Sequence, residues 1–535
     1  MKRGRTHALR STTALVIAAG LLAGCGSADD PVPGESQDQA AIDYAEGMVG
    51  EDSGGEPVSG GSLDYAAYAE PRSLDPAVTI AAGTTGGIEM INIYDSLTRY
   101  DAEGREFVPQ LAESLAGNAD STEFTLTLRE GVTFSDGTPL DSAAVKWSQE
   151  RYAAENGPES ALWVENVRTI ETPDPTTVVY RLSKPWALFP SILSTGPGMI
   201  VAESSTAGDA FTPIGAGPFV LESWAPEEDL VLAANEDYWD GRPHLDQVRS
   251  VFLSDQQTGL DSLANGAVDA VLVRDPEKVD PWLEGGGAGY LSMVAAANVA
   301  LINATEGRPG ADPRVRRAMA MAIDPQLIKE RAFEGHGLAG STLFPEYSRW
   351  HTDTEALPYD PEEARRLLEE AKADGYDGVV EYIDASDPVS RATSLAVQAN
   401  LEAVGFTVET ELLQSIADQI SRIAVNRDYD VAAWGNAYRE GDPLAKMYPT
   451  LHSSGTQTYG MATSPEMDAL LEDFQAAATT EEQLDVMDAI QQQVNETVPF
   501  LDWGPLAELI VWSDDVHGVQ GAMASMVLFD EAWIG

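Results

Sequence analysis

Apolar and polar positions follow two different periods along this chain. Glu123-Phe-Thr-Leu-Thr-Leu-Arg129 alternates strictly, so Phe124, Leu126 and Leu128 share one face, as in a half-buried strand. Thr176 to Leu182 alternates in the same way. Gly217 to Ser223 and Leu230 to Ala234 are two further runs, split by the polar Pro226-Glu-Glu-Asp229, and they predict a hairpin. Elsewhere the pattern is helical and announced by caps. Asp312-Pro313 opens a helix over Arg314 to Ile323, Asp324-Pro325 opens the next through Phe333, and Asp360-Pro361 opens a charged one ending near Gly375. In each, the Asp can accept from an orphan amide, and Pro takes the first helical position, where no N–H is needed. Glu363 stands three residues after Asp360, and Glu482 three after Thr479, the spacing of a capping box. The second precedes a helix over Leu484 to Val494. Ala392 to Val404 predicts a helix closed by Gly405, then a strand over Phe406 to Leu412. Phe500-Leu501 and Leu509 to Trp512 predict two short strands. The class is mixed α/β, strand-rich at first, with helix and strand alternating over 300–500. No internal repeat is visible.

Length adds scale. At 535 residues and 43% hydrophobic, the chain exceeds the roughly 250–300 residues at which one core stops growing. Charge is the outlier: 32 Lys+Arg against 87 Asp+Glu gives −55. Only seven of the bases are Lys. Such a surface repels phosphate backbones and anionic lipid, which sets aside nucleic-acid binding and a polybasic membrane grip. It suits high salt, where self-repulsion is screened. A single Cys excludes an intrachain disulfide and a multi-Cys metal site.

That Cys has a telling position. Lys2, Arg3, Arg5 and Arg10 precede a mostly apolar run from Ser11 to Gly24, too short for the ~20 residues of a spanning helix. It fits the apolar region of a secretory signal. The run ends in Leu22-Ala23-Gly24-Cys25, which resembles the bacterial lipobox, so residues 1–24 are expected to be removed and Cys25 lipidated. Residues 25–62 then read as the lipidated Cys and a disordered acidic stalk, because their Gly, Ser, Pro, Asp and Glu cannot bury enough apolar surface to order.

Much chemistry has no carrier in the sequence. There is no phosphate-binding G-x-x-x-x-G-K-[ST] and no G-x-S-x-G elbow. His244, His336, His351, His452 and His517 are scattered, with no helical ligand pair. With 87 carboxylates, paired acids single out nothing. No catalytic residue, metal or cofactor is expected.

Several segments carry a resemblance when taken in order. They are Glu70-Pro-Arg-Ser-Leu-Asp-Pro76, Tyr94-Asp-Ser-Leu-Thr-Arg-Tyr-Asp101 with Val108-Pro-Gln-Leu-Ala112, and Leu128 to Pro139 followed by Val145-Lys-Trp-Ser148. Gly215-Ala-Gly-Pro-Phe219, Asn235-Glu-Asp-Tyr-Trp-Asp240, Val315 to Asp324 and Tyr359 to Arg365 complete the set. Together they resemble the bacterial extracytoplasmic solute-binding proteins of the dipeptide/oligopeptide/nickel family, the substrate-binding lipoproteins of ABC importers. The resemblance implies a two-lobed α/β flytrap. Lobe I would comprise 63–297 plus 500–535, with an extra subdomain at about 104–210, and lobe II 298–499. The hinge would lie near 295–300 and 498–503.

The implied function is to bind a peptide in an interlobe cleft and hand it to the permease transmembrane subunits by hinge closure, as a lipid-anchored, monomeric protein outside the cytoplasmic membrane. An oligosaccharide is the alternative guest. An extracytoplasmic hydrolase with paired carboxylates is the alternative from another class. In peptide-binding relatives a Trp three residues before an Asp marks a pocket strand, the Asp taking the peptide's amine. Here Trp434 matches the Trp, but the acid's position is Ala437; Glu440 or Asp442 would have to replace it. The resemblance also implies Arg391 as a carboxylate binder and brings Thr84 and Thr85 to the cleft. Asn436, Tyr438 and Trp503 complete the candidate ligand-binding set, Tyr438 and Trp503 being equally compatible with core positions.

Overall fold

The computed structural model describes residues 42–51, 54–208 and 210–535. The lipobox, Cys25 and the first part of the expected stalk lie outside the described residues.

Two long strands organise the fold. Gly289–Ile302 and Phe500–Trp512 run antiparallel in the middle of a 12-stranded sheet. On one side of this pair lie Ala270–Val273, Ser62–Ala67, Gln247–Phe252, Asp229–Ala234 and Phe219–Ala225; on the other lie Val431–Ala433, Val379–Ala385 and Thr407–Leu413. The last two are parallel neighbours joined by helix Pro388–Val404, since a parallel return needs a crossover of a dozen or more residues. A separate four-stranded sheet holds Ala112–Gly117, Glu123–Leu128, Thr177–Leu182 and Val167–Asp174. Its strict alternation buries Phe124, Leu126 and Leu128, and the aromatic rings of Trp163, Tyr180, Trp186 and Phe189 pack over them. Burying a ring of this size contributes ~1.5–3 kcal/mol.

The predicted caps are present. Asp312, Asp324 and Asp360 each accept from helix amides, with Pro in the first turn. Thr479 and Glu482 form a reciprocal capping box, but the helix runs over Thr480–Thr497, further than the expected 484–494. Glu363 does not close a box with Asp360, because its carboxylate is taken by Arg366 one turn on, at 2.5 and 2.7 Å. Helix Pro388–Val404 starts a turn earlier than expected, at the N-cap Asp387, and ends at Gly405 with φ 108°. The expected hairpin pairs Phe219–Ala225 with Asp229–Ala234 across a bulge.

Two expectations need correction. The C-terminal pieces Phe500-Leu501 and Leu509 to Trp512 are one strand, bridged by Asp502 to Glu508. The expected stalk is not disordered up to residue 62. Gly47–Val49 pairs with Gly289 to Leu291, Tyr44 is buried and donates its hydroxyl to Asp280 at 2.6 Å, and Glu46 accepts the Met293 amide at 2.9 Å. Two anchored side chains and a backbone ladder outweigh the polar composition around them.

Candidate functional site

The two central strands do not stay paired throughout. Val294 opposes Leu506 and Asn298 opposes Gly504, so residues 295–297 face only Pro505, which has no N–H to donate. The segment 434–439 docks where the ladder opens. Trp434 donates its amide to Val299, Asn436 to Ala296, and Ala295 pairs with Tyr438. Ala437 sits at φ 58°, and this left-handed turn helps bring it and Arg439 to a cavity of about 270 Å3.

The cavity is lined from four sides. Residues 80–85 and 523–524 contribute Ile80, Ala82, Thr84 and Thr85 with Met523 and Ala524. Residues 158–165 and 186–195 contribute Glu159, Leu162, Trp186 and Ile192. Helix Leu444–Leu451 contributes Lys446 and Tyr448. Asp442 and the turn 454–457 complete the wall. The Thr84 turn packs tightly on the C-terminal segment: Gly83 donates to the Ala524 carbonyl at 2.9 Å, and a β-carbon there would lie 1.9 Å from the Ser525 carbonyl, so only glycine fits.

Contacts at and beside the cavity join the segments that wall it. The Tyr448 hydroxyl donates to Glu165 at 2.8 Å, Gln475 to Asn166 at 2.8 Å, and Lys184 pairs with Glu472 at 3.2 Å. Ser191 donates to Asp442. Burial pushes the carboxyls of Glu159 and Asp442 above the ordinary range, against the pull of hydrogen bonds from Tyr152 and Ser191. Burial pushes the Lys446 ammonium down, while Glu159 pulls it back and Arg439 adds to the fall. Glu508 is different. Burial pushes it up, but Arg439, Arg274 and the Ser525 hydroxyl together hold it below its usual value.

The structure sorts the sequence candidates. Thr84 and Thr85 line the cavity, as does Ala437. Tyr438, two residues from Asn436, is fully buried in the core and shares a hydrogen bond with Thr450 at 3.1 Å. Trp434 stacks edge-on against Tyr459 and is not among the lining residues. Asn436 is buried and its side-chain amide has no partner among the described residues. Trp503 packs in the helix-covered core with Val498 and Leu501. Arg391 is exposed on the first turn of Pro388–Val404, where its Nε donates to the Ser386 carbonyl at 2.6 Å; the cavity does not reach it. Glu440 is spent on Ser348 and the Arg349 amide. Lys446 and Arg439 were not candidates. The scarcity of lysine, seven in the chain, was the one hint of the former.

Among the described residues no helix is long and apolar enough to cross a membrane, and no group of His, Cys, Asp and Glu is set to hold a metal ion. Residues 106–458 match the family model "Bacterial extracellular solute-binding proteins, family 5 Middle". The heme-binding protein A of Haemophilus influenzae is 26% identical over 517 residues, covering 88% of this chain and 91% of that one. The structure of AgaA from A. tumefaciens R10 in complex with agropinic acid superposes with a TM-score of 0.72 at 27% identity, over 86% of this chain and 94% of that one. The oligopeptide-binding protein AppA of Bacillus subtilis, in complex with a nonapeptide, shares the fold at a TM-score of 0.74 and 20% identity, over 90% and 100%. With a family match over most of its length and the two-lobed α/β architecture of periplasmic binding proteins, the chain belongs to family 5 of the bacterial extracellular solute-binding proteins.

Proposed function

We propose that this protein is the lipid-anchored, extracytoplasmic solute-binding component of an ABC importer, which encloses a small peptide between two lobes and delivers it unchanged to the permease. The observation that carries this reading is the cavity at the opening of the two central strands, walled by segments from both sides of them. Lobe I is 63–297 with 500–535 and lobe II 298–499, and residues 42–50 add to lobe I. Residues 104–210 form the extra subdomain whose contacts with helix Pro465–Ala476 draw the walls together. A ligand favours such closure only by binding the closed form better than the open one, so groups from both lobes must touch it. At about 270 Å3 the cavity falls just below the roughly 300–1,000 Å3 of most ligand sites. It therefore suits a short guest over a long one.

Cys25, through its lipobox, is the proposed anchor, and anchoring raises the concentration of loaded protein at the permease. The test is to purify the protein from its native membrane, denature it and identify the released guest by mass spectrometry. A short peptide that rebinds and is recovered intact is the expected result. A guest of another class, or a peptide recovered cleaved, would overturn the reading.

A further inference from the structure

The charges around the cavity are arranged for a guest of one sign, an inference that rests on the cavity being the binding cleft. Every carboxylate that approaches it is already engaged by the protein's own donors. Glu159 accepts the Tyr152 hydroxyl. Asp442 accepts the Ser191 hydroxyl and the Leu444 amide, the latter at 2.9 Å. Glu165 accepts the Tyr448 hydroxyl at 2.8 Å and the Lys184 ammonium at 3.2 Å. Glu508, behind Arg439, takes that guanidinium's Nη1 at 2.8 Å and the Ser525 hydroxyl.

The cations are not so matched. Lys446 lines the cavity and, among the described residues, makes no ion pair and no side-chain hydrogen bond, although it lies within the electrostatic reach of Glu159 and Arg439. Arg439 spends Nη1 on Glu508 and Ser525, and its Nε and Nη2 have no partner among the described residues. Two cations therefore converge on a largely apolar space in a protein of net charge −55. Glu508 answers one edge of Arg439, and Glu159 acts on Lys446 only without contact. Donors left without a contacting acceptor away from water are costly, and the most direct relief is an anion supplied by the guest. The position where an amine-binding acid would be expected is Ala437, on the same wall.

We propose that Lys446 and the unpaired edge of Arg439 form an anion seat for the carboxylate of the guest, so that the solute is a small carboxylate on an apolar body, held without an acid reserved for an ammonium group. The carboxylate docks between the two cations, and the body lies against Ile80, Ala82, Leu162 and Ile192.

The experiment is calorimetric titration of the full chain at matched ionic strength with two probe pairs. One pair is succinate and succinamide, the other tri-alanine and its C-terminal amide. In the wild type the acid of each pair is expected to bind at least about tenfold more tightly than its amide, the worth of a charge-assisted hydrogen bond. Lys446→Met should erase that ratio with an unchanged circular dichroism spectrum. Ala437→Asp should erase it too, by supplying a competing carboxylate at a backbone conformation that Asp tolerates. If tri-alanine and its amide bind equally, the seat is overturned and the peptide reading survives. If succinate is preferred through Lys446 while neither peptide binds, the seat stands and the peptide reading falls. Equal responses of wild type and Lys446→Met to succinate, or none in either, overturn the seat.

Discussion

At the scale of single residues, two neighbouring buried carboxyls outside the cavity are among those that make stability depend on pH. Asp95 is fully buried, accepting from Tyr238 at 2.8 Å, Trp239 at 3.1 Å and the Ser96 amide at 2.7 Å. Burial still wins over these bonds and raises it to about 6. Asp530 is raised to about 7, first by burial and then by Asp95. In the unfolded chain both titrate near ~3.9. Between about 4 and 7 the folded state holds more protons, so stability is fully present below about 4 and is lost as pH rises through 6 to 7. The melting temperature is therefore expected to fall from pH 5 to pH 8. Asp530→Asn should reduce that slope and raise stability at pH 8 by up to roughly 4 kcal/mol, about three pH units of displacement at ~1.4 kcal/mol each. Equal destabilisation at both pH values would show that Asp530 acts through packing alone.

At the scale of elements, the ends of helices and the first strand carry separable stability. Thr479 accepts the Glu482 amide at 3.2 Å, and Glu482 returns to the Thr479 amide at 3.1 Å. Thr479→Ala should cost about 1 kcal/mol in denaturant unfolding. Residues 42–50 lie against Gly289–Ile302 through a short ladder, Tyr44 and Glu46. A mature chain starting at Gly54 should lose about 2–4 kcal/mol, a buried Tyr ring and a few backbone bonds; an unchanged denaturation midpoint would mean the segment only rests on the sheet. These elements also show what the sequence could disclose. Strands with strict alternation and helices opened by Asp-Pro were legible because the information is local. The apolar pattern splits Phe500–Trp512 into two pieces because Asp502, Gly504, Pro505 and Glu508 interrupt it. The structure tolerates them through distant partners, Asn298 on the Pro505 carbonyl at 3.0 Å and Arg439 on Glu508 at 2.8 Å. The site was less legible for the same reason. Thr84 and Thr85 followed from the family resemblance, but Arg439 becomes half-neutralised by a glutamate 69 residues away. Lys446 comes to line the cavity only because distant segments close around it, and a linear pattern cannot express that.

At the scale of the whole molecule, two electrostatic effects oppose each other as salt rises. The surface bears arginine-centred networks, such as Arg314 with Asp312 and Asp374, and Arg422 with Glu381 and Glu411. Salt weakens these, but an exposed pair is worth only ~0–1 kcal/mol. Against them stands the repulsion of 87 acids with 32 bases to offset them. At 0.1 M salt charges interact over ~10 Å, at 1 M over ~3 Å, so the long-range repulsion is removed while contact pairs at 2.7–2.9 Å persist. Repulsion therefore loses more than attraction, and net stability must rise. The melting temperature in NaCl is expected to climb steeply from 0.1 M to 2 M, and KCl should give the same curve, because screening depends on ionic strength and not on the cation. Sucrose at equal osmolality should raise it less. A flat NaCl curve would mean that the ion-pair networks, not the excess of acid, set the charge energetics of this fold.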